Sequence, residues 1–382
     1  MSGARRGARA SASARAGLAA FALGALAACG GARAGDYERA LAEAHRASSA
    51  GRFAEAADAY ARAGTATNAA RGKQHAALFA AVERARAGEV ARALTELDAL
   101  AKASPPTDVS AEAEYKAARL RLRTGAVERG RAELEAFLPR HPESPLALSA
   151  FAQVIRFKEE SSGEAGARAT VEGLAAKVPE GTPLGQRIAY ERALRTEGLP
   201  ARRDALIAHA DRFPYPRGSY WDDALFRAAE LEETLGRPRE AIALLTRLLA
   251  ERETSDVIGS YQRPRYTPAK LRVARLQEKL GDREGARRTL HELYANFRSS
   301  ELRDDALWNE ARLFREDRQP AEACDRLRTL VSELRDSRFV PCASALCPEI
   351  VRPKDSRAPK ACHSYLLREA TASPPSAPRA SE

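Results

Sequence analysis

The chain has 382 residues and a formal net charge of +10, with 30% of its residues charged and 6% aromatic. Arginine carries most of the positive charge and is interspersed with acidic residues, as on a solvated helix surface with i,i+4 pairing. No basic run is interleaved with aromatics, which argues against nucleic acid as a partner, and no apolar run reaches the roughly 20 residues that a spanning helix needs.

In chain order, the first feature is "LGALAACGGARAG", Leu23 to Gly35. It closes an apolar run from Gly17 to Ala28 that follows Arg5, Arg6, Arg9 and Arg15. A basic segment, a short apolar segment and small residues at its end make a secretory signal. Leu26-Ala27-Ala28-Cys29 resembles the lipobox of bacterial lipoproteins. That resemblance implies a lipid on the Cys29 thiol, cleavage before Cys29 and acylation of the new amino terminus. Several acyl chains hold a protein on a membrane durably, at about 0.8 kcal/mol per buried CH₂. Gly30 follows, where aspartate would signal inner-membrane retention, so the resemblance implies the outer membrane and its periplasmic face. Loss of the four arginines before Cys29 lowers the net charge from +10 to +6. The tether to a helical pattern beginning near Asp36 is short, reaching roughly 20–25 Å when extended.

From Asp36 onward the composition favours helix: Ala, Leu, Arg and Glu dominate. "DDALFRAAELEETLGRPREAIALL" from Asp222 and "DDALWNEARLFREDRQPAEACDRL" from Asp304 repeat at an offset of 82 residues. Small residues recur in pairs twelve apart: Ala44/Ala56, Ala81/Ala93, Ala118/Gly130, Ala193/Ala205, Ala229/Ala241, Ala274/Ala286 and Ala311/Ala323. Seven residues after the first member of most pairs stands a glycine: Gly51, Gly88, Gly125, Gly236 and Gly281. This is the pattern of antiparallel helical hairpins that touch where neither helix carries bulk and turn where glycine ends the first helix. Leucines or aromatics four and seven residues after the second small residue put an apolar stripe on each second helix. A degenerate hairpin is expected around Ile155 and Ala167. The pattern, clearest in "GRFAEAADAYARA" from Gly51, resembles the tetratricopeptide repeat (TPR) family. The resemblance implies an all-α, right-handed solenoid of about eight TPR-like hairpins with a C-terminal cysteine-containing cap. It departs from that family in the first helices, where Arg84 and Glu232 stand in place of tyrosine.

Two places break the rhythm. "ETSDVIGSYQRPRYTP", Glu253 to Pro268, lengthens one step to 45 residues and is expected to leave the helical stack as a loop. Loops on a rigid scaffold often carry binding, which makes Tyr261, Arg263, Arg265 and Tyr266 partner-binding candidates. After Arg338 the chain is broken by prolines and holds Cys342, Cys347 and Cys362. With Cys324 these form an even set once Cys29 is lipidated, and disulfides are expected. Three connectivities are open, and a bridge from Cys324 would pin the C-terminal segment over the last hairpin, covering an apolar end. The competing reading is a metal site using Cys342, Cys347, Cys362 and His363, whose spacing fits no common zinc pattern.

The domains read as a signal at 1–28, a lipidated tether at 29–35, the repeats at 36–338, the cysteine-rich cap at 339–370 and a disordered tail at 371–382. No two of the six histidines lie within helical reach of each other in sequence, and no phosphate loop or GxSxG motif occurs. No catalytic residue, cofactor, metal or small-molecule substrate is therefore expected. Aromatics three residues before the small position, Tyr190, Phe226 and Trp308, would face the groove in TPR proteins and are partner-binding candidates. They also lie one turn from the buried position, and core is the better reading of them. Together the resemblances imply a lipid-anchored interaction scaffold or assembly factor whose partners are envelope proteins. The alternatives are a non-catalytic accessory subunit in peptidoglycan turnover and a metal-binding C-terminal module.

Overall fold

The computed structural model describes residues 35–103, 107–251, 253–255, 259–261 and 264–371, with side chains described outside 253–261 and 368–371. Cys29 and the lipobox, Arg263 and the tail from 372 lie outside the described residues. The fold is all-α apart from one short ribbon. Its two compact units divide between Gly185 and Gln186.

The first unit contains α1 (35–49), α2 (Phe53–Ala66), α3 (Ala70–Arg86), α4 (Val90–Ala101), α5 (Asp108–Arg123), α6 (Val127–Arg140) and α7 (Pro145–Ala175). The last is two helices joined at Gly163, whose φ of 66° is non-helical, and it forms the hairpin expected around Ile155 and Ala167. α8 (Pro183–Leu194) begins at the division. The second unit continues with α9 (Leu199–Arg212), α10 (Trp221–Thr234), α11 (Pro238–Ala250), α12 (Tyr266–Lys279), α13 (Arg283–Asn296), α14 (Arg303–Glu316) and α15 (Pro320–Glu333). The cap adds α16 (Val340–Leu346) and α17 (Ser364–Thr371). Consecutive helices from α1 to α15 thus make eight hairpins among the described residues.

The twelve-residue pairs sit where the two helices of a hairpin touch. Ala44, Ala56, Ala81, Ala93, Ala229, Ala241, Ala286 and Ala323 are fully buried. The closeness is clearest at Gly130, where an added Cβ would lie 2.8 Å from the carbonyl oxygen of Ala118, its partner in the pair. The turn position seven residues on requires a left-handed backbone, with φ from 74° to 97° at its five glycines. The eighth hairpin puts Arg318 there, at φ 57°. Pro238 and Pro320 open α11 and α15, where a missing N–H breaks no helical bond. Leu97, Leu134, Phe137, Leu245, Leu248, Leu290, Leu293, Leu327 and Leu330 are buried as the expected stripe of the second helices.

In the second, third, sixth and seventh hairpins the position three residues past the small residue holds a charged or polar group in place of an aromatic. Arg84 is buried and donates to Glu96 at 2.6 Å, twelve residues on. Arg121 is buried between Asp98 and Glu133, at 2.5 and 2.8 Å. Glu232 accepts from Arg203 at 2.7 Å, and the equivalent Gln277 accepts from Thr289 at 2.8 Å.

The insertion corrects one expectation. Glu253–Ser255 (β1) and Gly259–Tyr261 (β2) pair antiparallel, with Glu253 opposite Tyr261. α12 then starts at Tyr266, so Tyr266 is not a loop residue. It is 2% exposed, in the core with Ala269 and Trp221, and its hydroxyl donates to the Glu251 carbonyl. Pro268 does not delay the helix, because it falls in the first turn, where N–H groups have no helical partner anyway.

Two substitutions test this account of the hairpins. Gly130→Ala is expected to destabilise by up to about 2 kcal/mol: overpacking typically costs about 1–3 kcal/mol, against the roughly 1 kcal/mol that alanine gains over glycine in a helix. Arg318→Gly is expected to stabilise by about 0.5–1 kcal/mol, since relief of the left-handed backbone outweighs glycine's extra unfolded-state entropy. Urea denaturation followed by circular dichroism checks both signs.

Candidate partner-binding cavity

In the second unit a cavity of about 540 Å³ opens between helices of successive hairpins. Arg187, Tyr190 and Leu194 of α8 form one wall and Arg202 and Leu206 of α9 another. Asp223, Arg227 and Glu230 come from α10, and Arg265 from the residue before α12. Helical spacing explains the set: Arg187, Tyr190 and Leu194 are three and four residues apart, as are Asp223, Arg227 and Glu230, so each group shares a face.

The arginines are held in place. Arg265 donates to Asp223 at 2.6 Å and lies 5.2 Å over the Phe226 ring. Arg227 donates to Glu230 at 2.8 Å, and Glu230 also accepts from Arg272 at 2.8 Å. Arg187 lies over both Tyr190 and Tyr220, which stack with ring centres 5.1 Å apart and an interplanar angle of 9°. Burial, reinforced by the Asp223 charge, pushes the Tyr190 hydroxyl up to about 12, so it remains a protonated donor. A cationic rim over fixed aromatic faces can bind carboxylates and stack planar groups. Its two carboxylates, Asp223 and Glu230, are each paired with an arginine.

His209 of α9 packs 5.5 Å from Tyr190 and 5.0 Å from Phe213. It is buried and, among the described residues, neither ring nitrogen has a hydrogen-bond partner. Burial, assisted by Arg212, pulls its pKa down to about 4.

Of the sequence candidates, the cavity unites Tyr190 and Arg265, with Phe226 beneath. All three aromatic candidates, Tyr190, Phe226 and Trp308, are buried. Trp308 stands apart from the cavity, stacked 4.9 Å from Phe339 of the cap at an interplanar angle of 12°. Tyr261 lies in β2. Arg187, Arg227, Asp223 and Tyr220 were not singled out by sequence, although the repeated DDAL carries a signal. Its second aspartate, Asp223 or Asp305, meets an arginine of a following segment, Arg265 or Arg338, at 2.6 and 2.7 Å.

The cysteines pair as Cys324–Cys347, which joins α15 to the cap, and Cys342–Cys362, within the cap. With the sulfurs in bridges, no thiolate remains to ligate a metal as the metal-site reading required. Trp308, Leu327, Leu330, Phe339 and Val340 bury the end of the last hairpin beneath these bridges.

A family profile described as tetratricopeptide repeat matches residues 223–255 and 269–300, covering α10–α11 and α12–α13. A search of curated proteins gives no match. Among solved structures, the chain is similar to a tetratricopeptide repeat protein from Parabacteroides merdae, at 12% identity and a TM-score of 0.33, over 68% of this chain and 92% of that one. It is also similar to a chain of the APC/C hetero-tetramer Cut9–Hcn1, at 12% identity and a TM-score of 0.36, over 87% of this chain and 55% of that one. The TPR domain of P58(IPK) aligns at 16% identity and a TM-score of 0.25, over 81% of this chain and 87% of that one. At these scores the hairpins themselves, rather than the likeness, define the fold.

Neutral burial of His209 makes stability depend on pH. Between its ordinary value of 6.5 and about 4, the unfolded chain binds the proton and the folded chain does not. Its contribution is therefore complete above pH 6.5 and is lost as pH falls toward 4. From pH 7 to pH 5 the wild type is expected to lose about 2 kcal/mol more than His209→Phe. Urea melts of both proteins at the two pH values read the difference.

Proposed function

We propose that this protein is a non-catalytic scaffold, anchored by lipid at Cys29 to the periplasmic face of the outer membrane, that holds proteins of an envelope complex. The cavity at Tyr190 carries the scaffold reading. It offers arginines already oriented by carboxylates and aromatic rings, on helices of consecutive hairpins, which costs little ordering entropy when a partner segment docks. TPR proteins are protein–protein interaction scaffolds, and the profile match falls on the helices that contribute Asp223, Arg227 and Glu230.

The lipobox-like Leu26-Ala27-Ala28-Cys29 supports the anchor. The two disulfides support export, because such bonds persist in oxidising compartments. No helix among the described residues is long and apolar enough to cross a membrane.

Metabolic labelling with a clickable fatty acid is expected to mark the wild type and not Cys29→Ser, and Cys29→Ser is expected to leave the membrane fraction. Crosslinking in cells is expected to recover a defined set of envelope proteins, reduced several-fold by Arg187→Glu/Arg227→Glu with the protein level unchanged. Unlabelled wild-type protein would overturn the anchor. An absence of specific partners, together with muropeptide turnover by the pure protein, would overturn the scaffold.

A further inference from the structure

The first unit holds an apolar cavity of about 560 Å³ between α2 and α4, with α3 as its floor. Ala61 and Gly64 form one wall, Ala99 and Leu100 the other, and Ala77 and Ala80 the floor. Along α3, charge is confined to the two ends of the lining, Lys73 and Arg84. Arg84 is already engaged, donating to Glu96 of α4 at 2.6 Å.

The stretch between the charged ends selects the class of ligand. Its alanine, glycine and leucine side chains offer neither donor nor acceptor. An extended peptide lying there would bring backbone N–H and C=O groups that those walls leave unpaired. A hydrocarbon chain needs no such partner and gains by leaving water. The length also fits. From Lys73 to Arg84 the helix rises about 16 Å, and one acyl chain fills half of a bilayer's hydrocarbon core, about 15 Å.

The place of the cavity in the fold selects the source of that chain. Its end at Gly64 and Lys73 is where the polypeptide enters the first hairpin. A Cβ on Gly64 would lie 3.4 Å from that of Ala76. Ala76 packs with Ala40 and Ala63, and Tyr37 of the first turn of α1 packs against them. The Tyr37 hydroxyl comes within 3.6 Å of where a Cβ on Gly72, next to Lys73, would stand. The cavity is thus about one helix diameter, about 10–12 Å, from the start of α1. The segment from Cys29 to α1 reaches roughly 20–25 Å when extended, so a lipid on Cys29 has this end of the cavity within range.

We infer that this cavity holds one of the acyl chains carried by Cys29 and shelters it from water when the protein is not seated in a membrane. The inference rests on the lipid anchor proposed above and gives part of its hydrocarbon a second resting place, on the protein itself.

The test uses the chain from Cys29 onward, the form that cleavage before Cys29 leaves. Cys29 is its one free thiol, because the other four cysteines are bridged. A maleimide therefore couples a hexadecyl chain ending in a diazirine to that residue alone. Because the chain is attached chemically, the outcome is independent of whether cells lipidate Cys29, which the metabolic labelling decides. On irradiation in detergent-free buffer, insertion is expected within the same molecule, mapped by mass spectrometry to α2, α3 and α4. Ala77→Asp/Ala99→Asp, at two exposed positions of the lining, is expected to cut these insertions at least fivefold with helical content and melting temperature kept. Ala243→Asp, exposed in the other unit, is expected to leave them unchanged. A counterpart capped with an ethyl group is expected to bind cis-parinaric acid at least fivefold more tightly than the hexadecyl form.

Insertions scattered over the surface, or equal yields in the double variant, would overturn the inference. Crosslinks chiefly between isotopically light and heavy molecules would overturn it in favour of a second copy as the occupant. Binding of cis-parinaric acid that the attached chain does not diminish would overturn it in favour of a free lipid.

Discussion

The structure depends on how closely two helices approach where each contributes only a methyl group or a hydrogen. At Ala118/Gly130 the backbone of one helix lies within van der Waals reach of the other, leaving no room for even one added carbon. Dispersion falls off steeply with distance, so this contact gains energy that a bulkier pair could not recover. It also fixes where the larger residues must go. With the crossing set at the small pair, the leucines four and seven residues further along have a defined gap to fill, and the turn has a defined length to cover.

The gap one turn beyond the crossing is the one that few aromatics were available to fill. At Arg84, Arg121 and Glu232 charged pairs occupy it, and this changes what holds neighbouring hairpins together. A buried arginine requires a carboxylate partner, because leaving one charge uncompensated costs several kcal/mol. Arg121 takes one carboxylate from within its own hairpin and another from the preceding one. Glu310 accepts from Arg326 within its own hairpin and lies 3.4 Å from His291 of α13. Around α12 to α14, Glu278, Arg312, Glu316, Arg283, Asp317 and Arg287 form a connected set. These groups have directional needs that leucine lacks, so they specify the stagger of one hairpin on the next. The same geometry steadies the arginines at the cavity rim.

Contacts within a hairpin were legible because they recur at one sequence offset. The twelve-residue pairs, the glycine turns and the second-helix stripes all follow from that offset. Contacts between hairpins were not, because their separations vary. Arg265 reaches back 42 residues to Asp223, and Arg272 reaches 39 to Glu233. Tyr266 shows the limit at a single residue: two prolines nearby suggested a loop, but Pro268 fell where a helix tolerates it, and burial then decided the rest. The stacking of Tyr190 on Tyr220 brings together residues on α8 and next to α10, which no pattern in either segment foreshadows. The number and position of the cysteines pointed to bridges, while their pairing waited on where α16 lies against α15.

That pairing is interlaced. The loop closed by Cys324–Cys347 and the loop closed by Cys342–Cys362 share the stretch from Cys342 to Cys347. A single backbone cut anywhere between Cys324 and Cys362 therefore severs no piece from the chain, since at least one bridge always spans the break. The stretch from Cys324 in α15 through α16 to Cys362 forms one covalently closed body. A protease that nicks an exposed bend there leaves the mass of the non-reduced protein larger by only a water molecule, and the apolar end of the last hairpin remains tethered beneath its cover.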